Sequence, residues 1–534
     1  MKSVIVCLLF TFVQIQDAFC CLDQEANSTS TSAKTSEKTL PFAKPNSEQK
    51  RHPYSLLIFG GGYSPSGNQV SLESNVKYFR RIRSSIGLGE AEMKTFFADG
   101  RSSDRDLQFF DPAFRIPEAN LILAELVGST RGIANQYRSN DLNPDDSSSL
   151  SALDKWIKHR KVQEGNQTNL IYFTGHGGKG DKKTPHNTTA YLWNNSKLKV
   201  PDLTKKLDQL PKEQPCIFVM VQCYSGGFAN LIFKDGDPKK GLSEHPRAGF
   251  FATVENRVAA GCTPDIREKN YREYSTRFWE GLCGESRVGK KVTKPDFDKD
   301  GKTSFSEAHA YVVLHSDTID IPIKTSDTFL RRFSALTPPK DSKKEDSCDP
   351  ELFSAVDKEL KELLRGASRE SRVVVNGLSR KLKLKEQKRH EETKKLAESL
   401  KKKKAEIVVR KKKIDEEKSK IKRDLSARIR KEWPELKNFH HPTVTALYRK
   451  PKSVEISTLV NSDGLWTRYK ELAEKSKRLE SERFSVEKQE VLTMRLIREL
   501  ETIVLAKNLS LLNPADIIGS YDKLTALEHS KLPD

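Results

Sequence analysis

Short apolar runs that end in glycine-rich turns are the feature that most constrains how this chain can fold. The run Leu170–Phe173 leads into "TGHGG", and the run Ile217–Val221 leads into "QCYSGG". These runs are apolar throughout and do not alternate, which is typical of parallel strands in a sheet covered on both faces. Amphipathic segments of helical period lie between the runs. The pattern therefore predicts an α/β fold with a mostly parallel sheet and helices on both faces.

The α/β pattern is predicted to occupy residues 53–336. A chain of 534 residues is long enough for two or three domains, so a further region is expected beyond it. The predicted strands are Ser55–Phe59, Asn169–Phe173, Ile217–Val221 and Gly249–Val254. The predicted helices are Leu72–Ile86, Glu118–Ala134, Ser149–Arg160, Val200–Leu210 and Tyr274–Leu282.

Residues 1–20 have the composition of a secretory signal peptide. Lys2 precedes the apolar run Val4–Val13, and the small residues Ala18 and Cys20 stand where a cleavage site requires them. The run is too short to span a bilayer easily, so cleavage before Cys21 is predicted; an uncleaved anchor or a lipid on Cys21 are the alternatives. Residues 21–52 are predicted to be a disordered polar linker. We expect a secreted, periplasmic or cell-envelope protein with no transmembrane helix after signal cleavage.

The cysteines that remain after the predicted cleavage are too sparse for a fold built on disulfides. An exported chain can nevertheless form such bonds. Cys262 and Cys283 are plausible partners, although sequence alone leaves the connectivity open.

The composition changes after the α/β pattern. Residues 337–350 are predicted to be a linker, and residues 351–534 a helical, coiled-coil-like region. A seven-residue spacing gives only a thin apolar stripe, through Leu400, Ile407, Ile414 and Ile421. Tyr469–Leu505 is a better amphipathic helix. We therefore expect an antiparallel pair of helices joined through "EWPELKNFHHPT".

Residues 380–430 contain 22 Lys and Arg against 9 Asp and Glu. Such a run can bind nucleic acid or an anionic surface, or it can be the solvated face of a helix. No aromatic residues interleave the lysines for base stacking, and an exported chain seldom meets nucleic acid. The solvated face is the preferred interpretation, and no nucleic-acid partner is expected.

Cys223 and His176 each leave the end of an apolar strand. A free thiol is mostly protonated at neutral pH and needs a base to become a nucleophile. In a parallel sheet the carboxyl ends of the strands meet at one edge, where ligand clefts form. Flanking glycines let backbone N–H groups approach a substrate carbonyl. Each residue alone is better explained as a core cysteine or a loop histidine, but the pair at matching positions favours catalysis.

"FTGHGG" and "VQCYSGG" resemble the strand-end motifs of the caspase–legumain group of cysteine peptidases, and Cys-x-Ser-Gly is closer to the legumain type. The resemblance covers roughly Tyr54 to Phe333. It implies that Cys223 is the nucleophile, that His176 is the general base and acid, and that the N–H groups of Gly177 and Cys223 bind the oxyanion. It also implies hydrolysis of protein or peptide substrates through a thioester acyl-enzyme. A helical C-terminal region that covers the active site is a further expectation.

Legumains place an Asn after their first strand to orient the histidine. Asn68 occupies a comparable position here and could hold the imidazole through its side-chain carbonyl, or it could be an ordinary turn residue. Legumains follow that Asn closely with an Arg that recognises asparagine in the substrate, whereas Gln69, Val70 and Ser71 stand here. Asparagine specificity therefore cannot be carried over from the resemblance, and the sequence leaves the specificity at the cleavage site open.

Residues 296–307, "DFDKDGKTSFSE", match the calcium-loop template D-x-[DN]-x-[DN]-G-x5-E at every fixed position. The loop predicts a structural Ca²⁺ site. Its predicted ligands are Asp296, Asp298, Asp300, Lys302 through its carbonyl, Ser304 and Glu307. The alternative is a capping box in which Ser304 and Glu307 begin a helix.

Together these patterns predict an exported cysteine endopeptidase with a Cys–His dyad. The competing prediction is a non-catalytic, calcium-stabilised envelope or adhesion protein on the same fold.

Overall fold

The computed structural model describes residues 51–163, 165–338, 352–438, 440–447 and 452–533. The predicted signal peptide, nearly all of the first linker and most of the second linker lie outside these residues. Among the described residues, no helix has the length and apolar character that crossing a membrane requires.

A six-stranded sheet forms the centre of the α/β part. Its strands are β1 (Tyr54–Gly61), β2 (Glu92–Phe97), β5 (Thr168–Gly175), β9 (Cys216–Met220), β10 (Arg247–Phe251) and β11 (Ile323–Lys324). They lie in the order β11-β10-β9-β5-β1-β2. All neighbouring strands are parallel except β10 and β11. The predicted α/β fold with a mostly parallel sheet is confirmed.

Two small sheets lie outside the central one. The first consists of β3 (Leu107–Phe109) and β4 (Gln136–Arg138). The second consists of β6 (Gly177–Gly178), β7 (Thr189–Leu192) and β8 (Ser196–Lys199). Neither sheet was predicted, because strands of two to four residues carry too little periodicity to stand out from loops.

Seven helices of the described residues accompany the sheet: α1 (Val70–Ile82), α2 (Glu118–Val127), α3 (Leu150–Lys161), α4 (Val200–Leu207), α5 (Tyr274–Cys283), α6 (Phe305–His315) and α7 (Thr325–Phe333). Alternate residues of β1 point to opposite faces, so Leu56 and Ile58 pack in one apolar cluster and Leu57 and Phe59 in another. The predicted helix Glu118–Ala134 ends earlier, at Val127, because Gly128 leaves the helical conformation.

The C-terminal region is helical, as predicted. Its helices are α8 (Leu360–Leu364), α9 (Arg369–Lys381), α10 (Arg389–Glu432), α11 (Pro442–Leu447), α12 (Lys452–Asn461), α13 (Gly464–Leu512) and α14 (Ala515–Glu528). Ion pairs between α10 and α13 join the earlier Lys404 to the later Glu490, and the later Glu417 to the earlier Arg468. The two long helices are therefore antiparallel. Their seam contains Leu400, Ile407, Leu479 and Val486.

The helical region is packed against the α/β part. Val491 belongs to the apolar cluster on one face of the sheet, and Leu505 and Leu509 pack with Phe329 of α7. Glu528 is fully buried, where it accepts hydrogen bonds from the Ser326 N–H and hydroxyl. The two parts therefore share apolar cores, because residues of α13 complete clusters that the α/β helices leave open.

Candidate active site

Two adjacent strands bring the predicted nucleophile and base to the same edge of the sheet. β5 and β9 are paired from Asn169↔Cys216 to Phe173↔Met220, and the Val221 N–H donates to the Phe173 carbonyl at 3.2 Å. His176 directly follows the last residue of β5, and Cys223 lies shortly after the end of β9. A Cβ atom on Gly177 would lie 2.0 Å from the Cys223 carbonyl oxygen. Only glycine allows the two strand ends to approach this closely.

The Cys223 thiol is held by the loop that follows β10. The Ala259 N–H lies 3.4 Å from Cys223 Sγ, and the thiol lies 3.8 Å from the Ala259 carbonyl oxygen. Burial raises the pKa of the Cys223 thiol; the Ala259 N–H opposes this rise, and the carboxylate of Asp320 adds to it. The residue is half-buried and rests as a neutral thiol.

The His176 ring is fixed through one nitrogen. Nε2 lies 2.7 Å from the Gly67 carbonyl oxygen and 2.9 Å from Gln69 Oε1, so this nitrogen carries the proton and donates. The edge of the Tyr63 ring packs against the imidazole with the centroids 5.1 Å apart. Burial lowers the pKa of His176, and the hydrogen bond to Gly67 opposes this. The imidazole is therefore neutral, and Nδ1 keeps the lone pair that a general base requires.

His176 and Cys223 are not joined by a hydrogen bond in the part of the chain that the structure describes. Each is held by a different loop, His176 by residues 67–69 and Cys223 by Ala259. Catalytic hydrogen bonds are often long or absent before a substrate binds. The Cys223 N–H donates to no backbone acceptor among the described residues, which leaves it available to an oxyanion.

Asn68 does not orient His176 directly, so the prediction that its side-chain carbonyl holds the imidazole is wrong. Asn68 is fully buried; its Oδ1 accepts from the Gly62 N–H at 3.0 Å, and its Nδ2 donates to Asp106 Oδ2 at 2.9 Å. The acceptors of the histidine are the two residues that flank Asn68, Gly67 and Gln69. The sequence analysis missed Gln69: it stands next to the predicted Asn, but its bond to His176 depends on how residues 62–69 turn.

The loop that contacts Cys223 is also tied to α13. The Ala260 N–H donates to Asp320 Oδ1 at 2.7 Å, and Arg257 pairs with Glu487 of α13 at 3.2 Å. Arg495 of α13 is buried and donates to the backbone carbonyls of Val313, Ser316, Thr318 and Asp320. The helical region thus reaches the segment that holds the nucleophile.

The acidic loop 296–307 brings part of its predicted ligand set together. Ligand oxygens of Asp296, Asp298 and Glu307 lie within 4.8 Å of one another. Asp300 instead pairs with the ammonium of Lys531, which also lies 3.8 Å from Asp298. Gly301 turns the chain with φ +84° just before the predicted ligands Lys302 and Ser304, and Ser304 is the N-cap of α6.

The alternative interpretation of this loop, the capping box, is confirmed. The Ser304 hydroxyl accepts from the Glu307 N–H, and Glu307 Oε2 accepts from the Ser304 N–H at 2.8 Å. Glu307 Oε1 accepts from the Phe297 N–H at 2.5 Å. The loop therefore has three convergent carboxylates, whose oxygens are the kind of ligand that Ca²⁺ binds. One of them, Glu307, also caps α6.

The four described cysteines are free thiols, so the Cys262–Cys283 pairing is wrong. Cys262 Sγ lies 3.8 Å from the Gly175 carbonyl, next to the candidate site. Cys283 Sγ lies 3.8 Å from the Tyr78 hydroxyl at the end of α5.

No protein-family model matches the chain, and no curated protein matches it. Among solved structures, the protein GSU0716 from Geobacter sulfurreducens resembles part of the chain with 10% sequence identity and a TM-score of 0.26. The likeness covers 48% of this chain and 88% of that one, and it carries no argument about function.

Proposed function

We propose that this chain is a cysteine endopeptidase that hydrolyses protein or peptide substrates, with Cys223 as nucleophile and His176 as general base. The observation that carries the proposal is the meeting of two strand ends, where Gly177 lies against the Cys223 backbone. A neutral imidazole and a half-buried thiol that follow adjacent strands at one edge of the sheet are the groups that such a reaction needs. The predicted signal peptide and the resemblance of the strand-end motifs to those of legumains agree with this function.

The reaction follows from the protonation states. His176 Nδ1 takes the thiol proton, and the thiolate attacks the carbonyl carbon of the peptide bond. The N–H groups of Cys223 and Gly177 stabilise the oxyanion. His176 then returns the proton to the amide nitrogen, the C–N bond breaks, and a thioester remains on Cys223. Water, deprotonated by His176, hydrolyses the thioester and restores the thiol.

The test is cleavage of a peptide library by the full-length protein and by matched cysteine variants. Cys223→Ala and His176→Ala are each expected to lower kcat/KM by about a thousandfold or more, and the double variant should be hardly worse because the two residues act together. Cys283→Ala is the control, since that thiol is partly buried at the end of α5. Activity that survives in Cys223→Ala would refute the assignment.

The alternative, a non-catalytic calcium-stabilised envelope or adhesion protein, is favoured by one observation: within the described residues, the thiol of Cys223 forms hydrogen bonds with Ala259 and none with His176. Alkylation by iodoacetamide separates the two functions. An active dyad predicts fast labelling of Cys223 that slows in His176→Ala, whereas an idle thiol predicts slow labelling in both proteins.

We further propose that loop 296–307 binds a structural Ca²⁺ through Asp296, Asp298 and Glu307. The ion would neutralise three carboxylates that otherwise repel one another. We also propose that the helical region restrains peptidase activity. The support for this restraint is the Arg257–Glu487 pair, which ties α13 to the loop that contacts Cys223.

A further inference from the structure

A polar cavity of about 370 Å³ lies where the helical region packs against the α/β part. Its walls come from α6, α7, α9, α13 and α14, and from the turn that precedes α9. This volume is at the lower end of the range for small-molecule sites in proteins. Neither Cys223 nor His176 lines the cavity, so it is separate from the candidate active site.

Most basic side chains in the walls of the cavity already have partners. Lys324 Nζ pairs with Glu528 at 3.0 Å, and His529 Nε2 lies 3.2 Å from Glu370. Two further basic side chains of α13 donate to backbone carbonyls: Arg495 and Lys507.

The acidic side chains in the walls are engaged as well. Asp327 Oδ2 accepts from the Lys324 N–H at 3.1 Å, and Asp327 Oδ1 lies 3.4 Å from the Thr502 hydroxyl. Burial raises the pKa of Glu499, so this carboxyl holds a proton more readily than an exposed one. The third acid, Glu370, is the partner of His529.

Arg498 is the exception among the charged groups of the cavity. Its guanidinium forms no hydrogen bond and no ion pair with any residue that the structure describes, although Arg498 lines the cavity from α13. Asp327, Glu255 and Glu501 attract it from beyond ion-pair distance, and Arg331 repels it. Burial, and secondly Arg331, lower the pKa of Arg498 to about 10, so the group is still charged at neutral pH. A partly buried charge without a partner is unfavourable, and an anion in the cavity would supply the partner.

The first turn of α9 lies in the wall of the same cavity. This helix has 13 residues and begins after its N-cap, Ser368. The backbone N–H groups and the positive dipole end of a helix N-terminus both favour an anion. Ser371 and Tyr521 also line the cavity, and their hydroxyl groups can donate to an oxyanion.

We propose that this cavity binds a small anion with a phosphate or carboxylate group, held by the Arg498 guanidinium and the first turn of α9. A planar guanidinium can donate two parallel hydrogen bonds to such a group. Arg498 belongs to the helical region, whereas α6 and α7 form other walls of the cavity, so the bound anion contacts both parts of the molecule. An anion that binds only this packed state stabilises it. The site does not depend on the proposed peptidase function.

The experiment measures anion binding by the full-length protein in calcium-free buffer, with the ionic strength held constant by chloride. The probes are inorganic phosphate and succinate, and glycerol is the uncharged control. Isothermal titration should show one site for at least one of the two anions, and the tighter of them identifies the preferred group. The melting temperature should rise with the logarithm of the concentration of that anion.

Two matched variants of α13 locate the site. Arg498→Met should weaken binding of the anion by roughly tenfold to a hundredfold, because a charge-assisted hydrogen bond is lost. Arg478→Met removes an exposed arginine of the same helix and should bind as the wild type does. Arg498→Lys keeps the charge without the planar fork, so it should bind a few-fold more weakly and serves if Arg498→Met does not fold.

A purely structural role of Arg498 predicts a different result. Arg498→Met removes a charge that burial disfavours, so without added anion this variant should melt no lower than the wild type. If Arg498 only supports the fold, the variant melts lower and an added anion raises the melting temperature of both proteins equally. That result overturns the proposal. So does the absence of saturable binding of either anion to the wild type at millimolar concentration, or equal affinity in the wild type and both Arg498 variants.

Discussion

The two predicted sites differ in how far apart along the chain their residues lie. The acidic loop is one continuous segment, and its local geometry follows the pattern: Gly301 turns, Asp296 accepts from the Gly301 N–H, and Ser304 and Glu307 cap α6. The strand-end site is assembled from separate segments, around residues 67–69, 176–177, 222–223 and 259. There the sequence motifs located the strand ends but not the hydrogen-bond partners. A local motif specifies its own backbone, whereas long-range contacts choose the partners of its side chains.

Residues from the C-terminal region form ion pairs at or near both sites. Lys531, near the end of the described chain, pairs with Asp300 of the acidic loop. Glu487 of α13 pairs with Arg257, which lies just before the Ala259 that contacts Cys223. The helical region therefore influences a site whose motifs lie entirely in the α/β part. Removing the helical region should therefore have the largest effect.

Deletion of residues 352–533 should abolish cooperative unfolding. The apolar side chains that α13 and α14 pack against the α/β part are Val491, Leu496, Leu500, Leu505, Leu509 and Leu524. Their burial contributes on the order of 10 kcal/mol, which is comparable to the whole stability of an ordinary domain. Calorimetry of the truncated chain should show no sharp transition. Proteolytic nicking within residues 339–351 is the control, and the two fragments should still coelute. A sharp transition in the truncated chain would show that the α/β part is independent.

Gly177→Ala should lower kcat/KM by about a hundredfold or more, because the added Cβ would meet the Cys223 carbonyl oxygen at 2.0 Å and displace the two strand ends. The matched control is Gly178→Ala, whose Cβ would meet the Tyr191 hydroxyl, the end of a side chain that can move. Steady-state kinetics on one peptide, with circular dichroism to confirm folding, distinguish the two. Equal loss in both variants would mean that the strand ends need no close approach.

More of the fold than of the site could be predicted from the sequence. β1, β5 and β9 overlap the predicted apolar runs because they are buried on both faces, and burial on both faces leaves an unbroken apolar signal. β2 was missed because its first half, with Glu92 and Lys94, is at the surface. Gln69 could not be identified as the partner of His176, since that bond depends on how residues 62–69 turn.

Asn68→Ala should lower kcat by about tenfold and leave KM nearly unchanged. The side chain that anchors residues 62–69 would be lost, so Gly67 and Gln69 would hold His176 less firmly, while no substrate contact is removed. Gln69→Ala is the comparison, because it removes one acceptor of His176 directly and keeps the anchor. Progress curves at several substrate concentrations separate the two parameters. Unchanged kcat in Asn68→Ala would return this residue to a purely structural turn.

Glu487→Gln should raise kcat/KM a few-fold. The substitution removes the charge that pairs with Arg257, and this pair ties α13 to the loop beside Cys223. A partly buried ion pair of this kind contributes about 1 kcal/mol, so the loop should become only somewhat freer. Glu474→Gln, at an exposed position of the same helix, is the control. A rate that falls, or that stays the same in both variants, contradicts the proposed restraint by the helical region.

The smallest expected effect concerns the acidic loop and its distant lysine. Calcium that binds only the folded state should raise the melting temperature of the wild type, and a chelator should lower it. Magnesium should do less, because it loses its water reluctantly and requires a tighter shell of ligands. Glu307→Gln should weaken the calcium effect while retaining much of the helix cap.

Lys531→Gln tests whether the C-terminal region affects calcium binding by the acidic loop. Its ammonium pairs with Asp298 and Asp300, and a calcium ion in the loop would compete for the same carboxylates. Removing the ammonium should therefore raise the affinity for calcium a few-fold. Lys523→Gln, on α14 away from the loop, is the matched control. Isothermal titration on the wild type and the two variants gives the affinities directly. If Lys531→Gln binds calcium no better than the wild type, Lys531 does not affect the calcium affinity of the loop. If the wild type binds none at millimolar concentration, residues 296–307 only begin a helix.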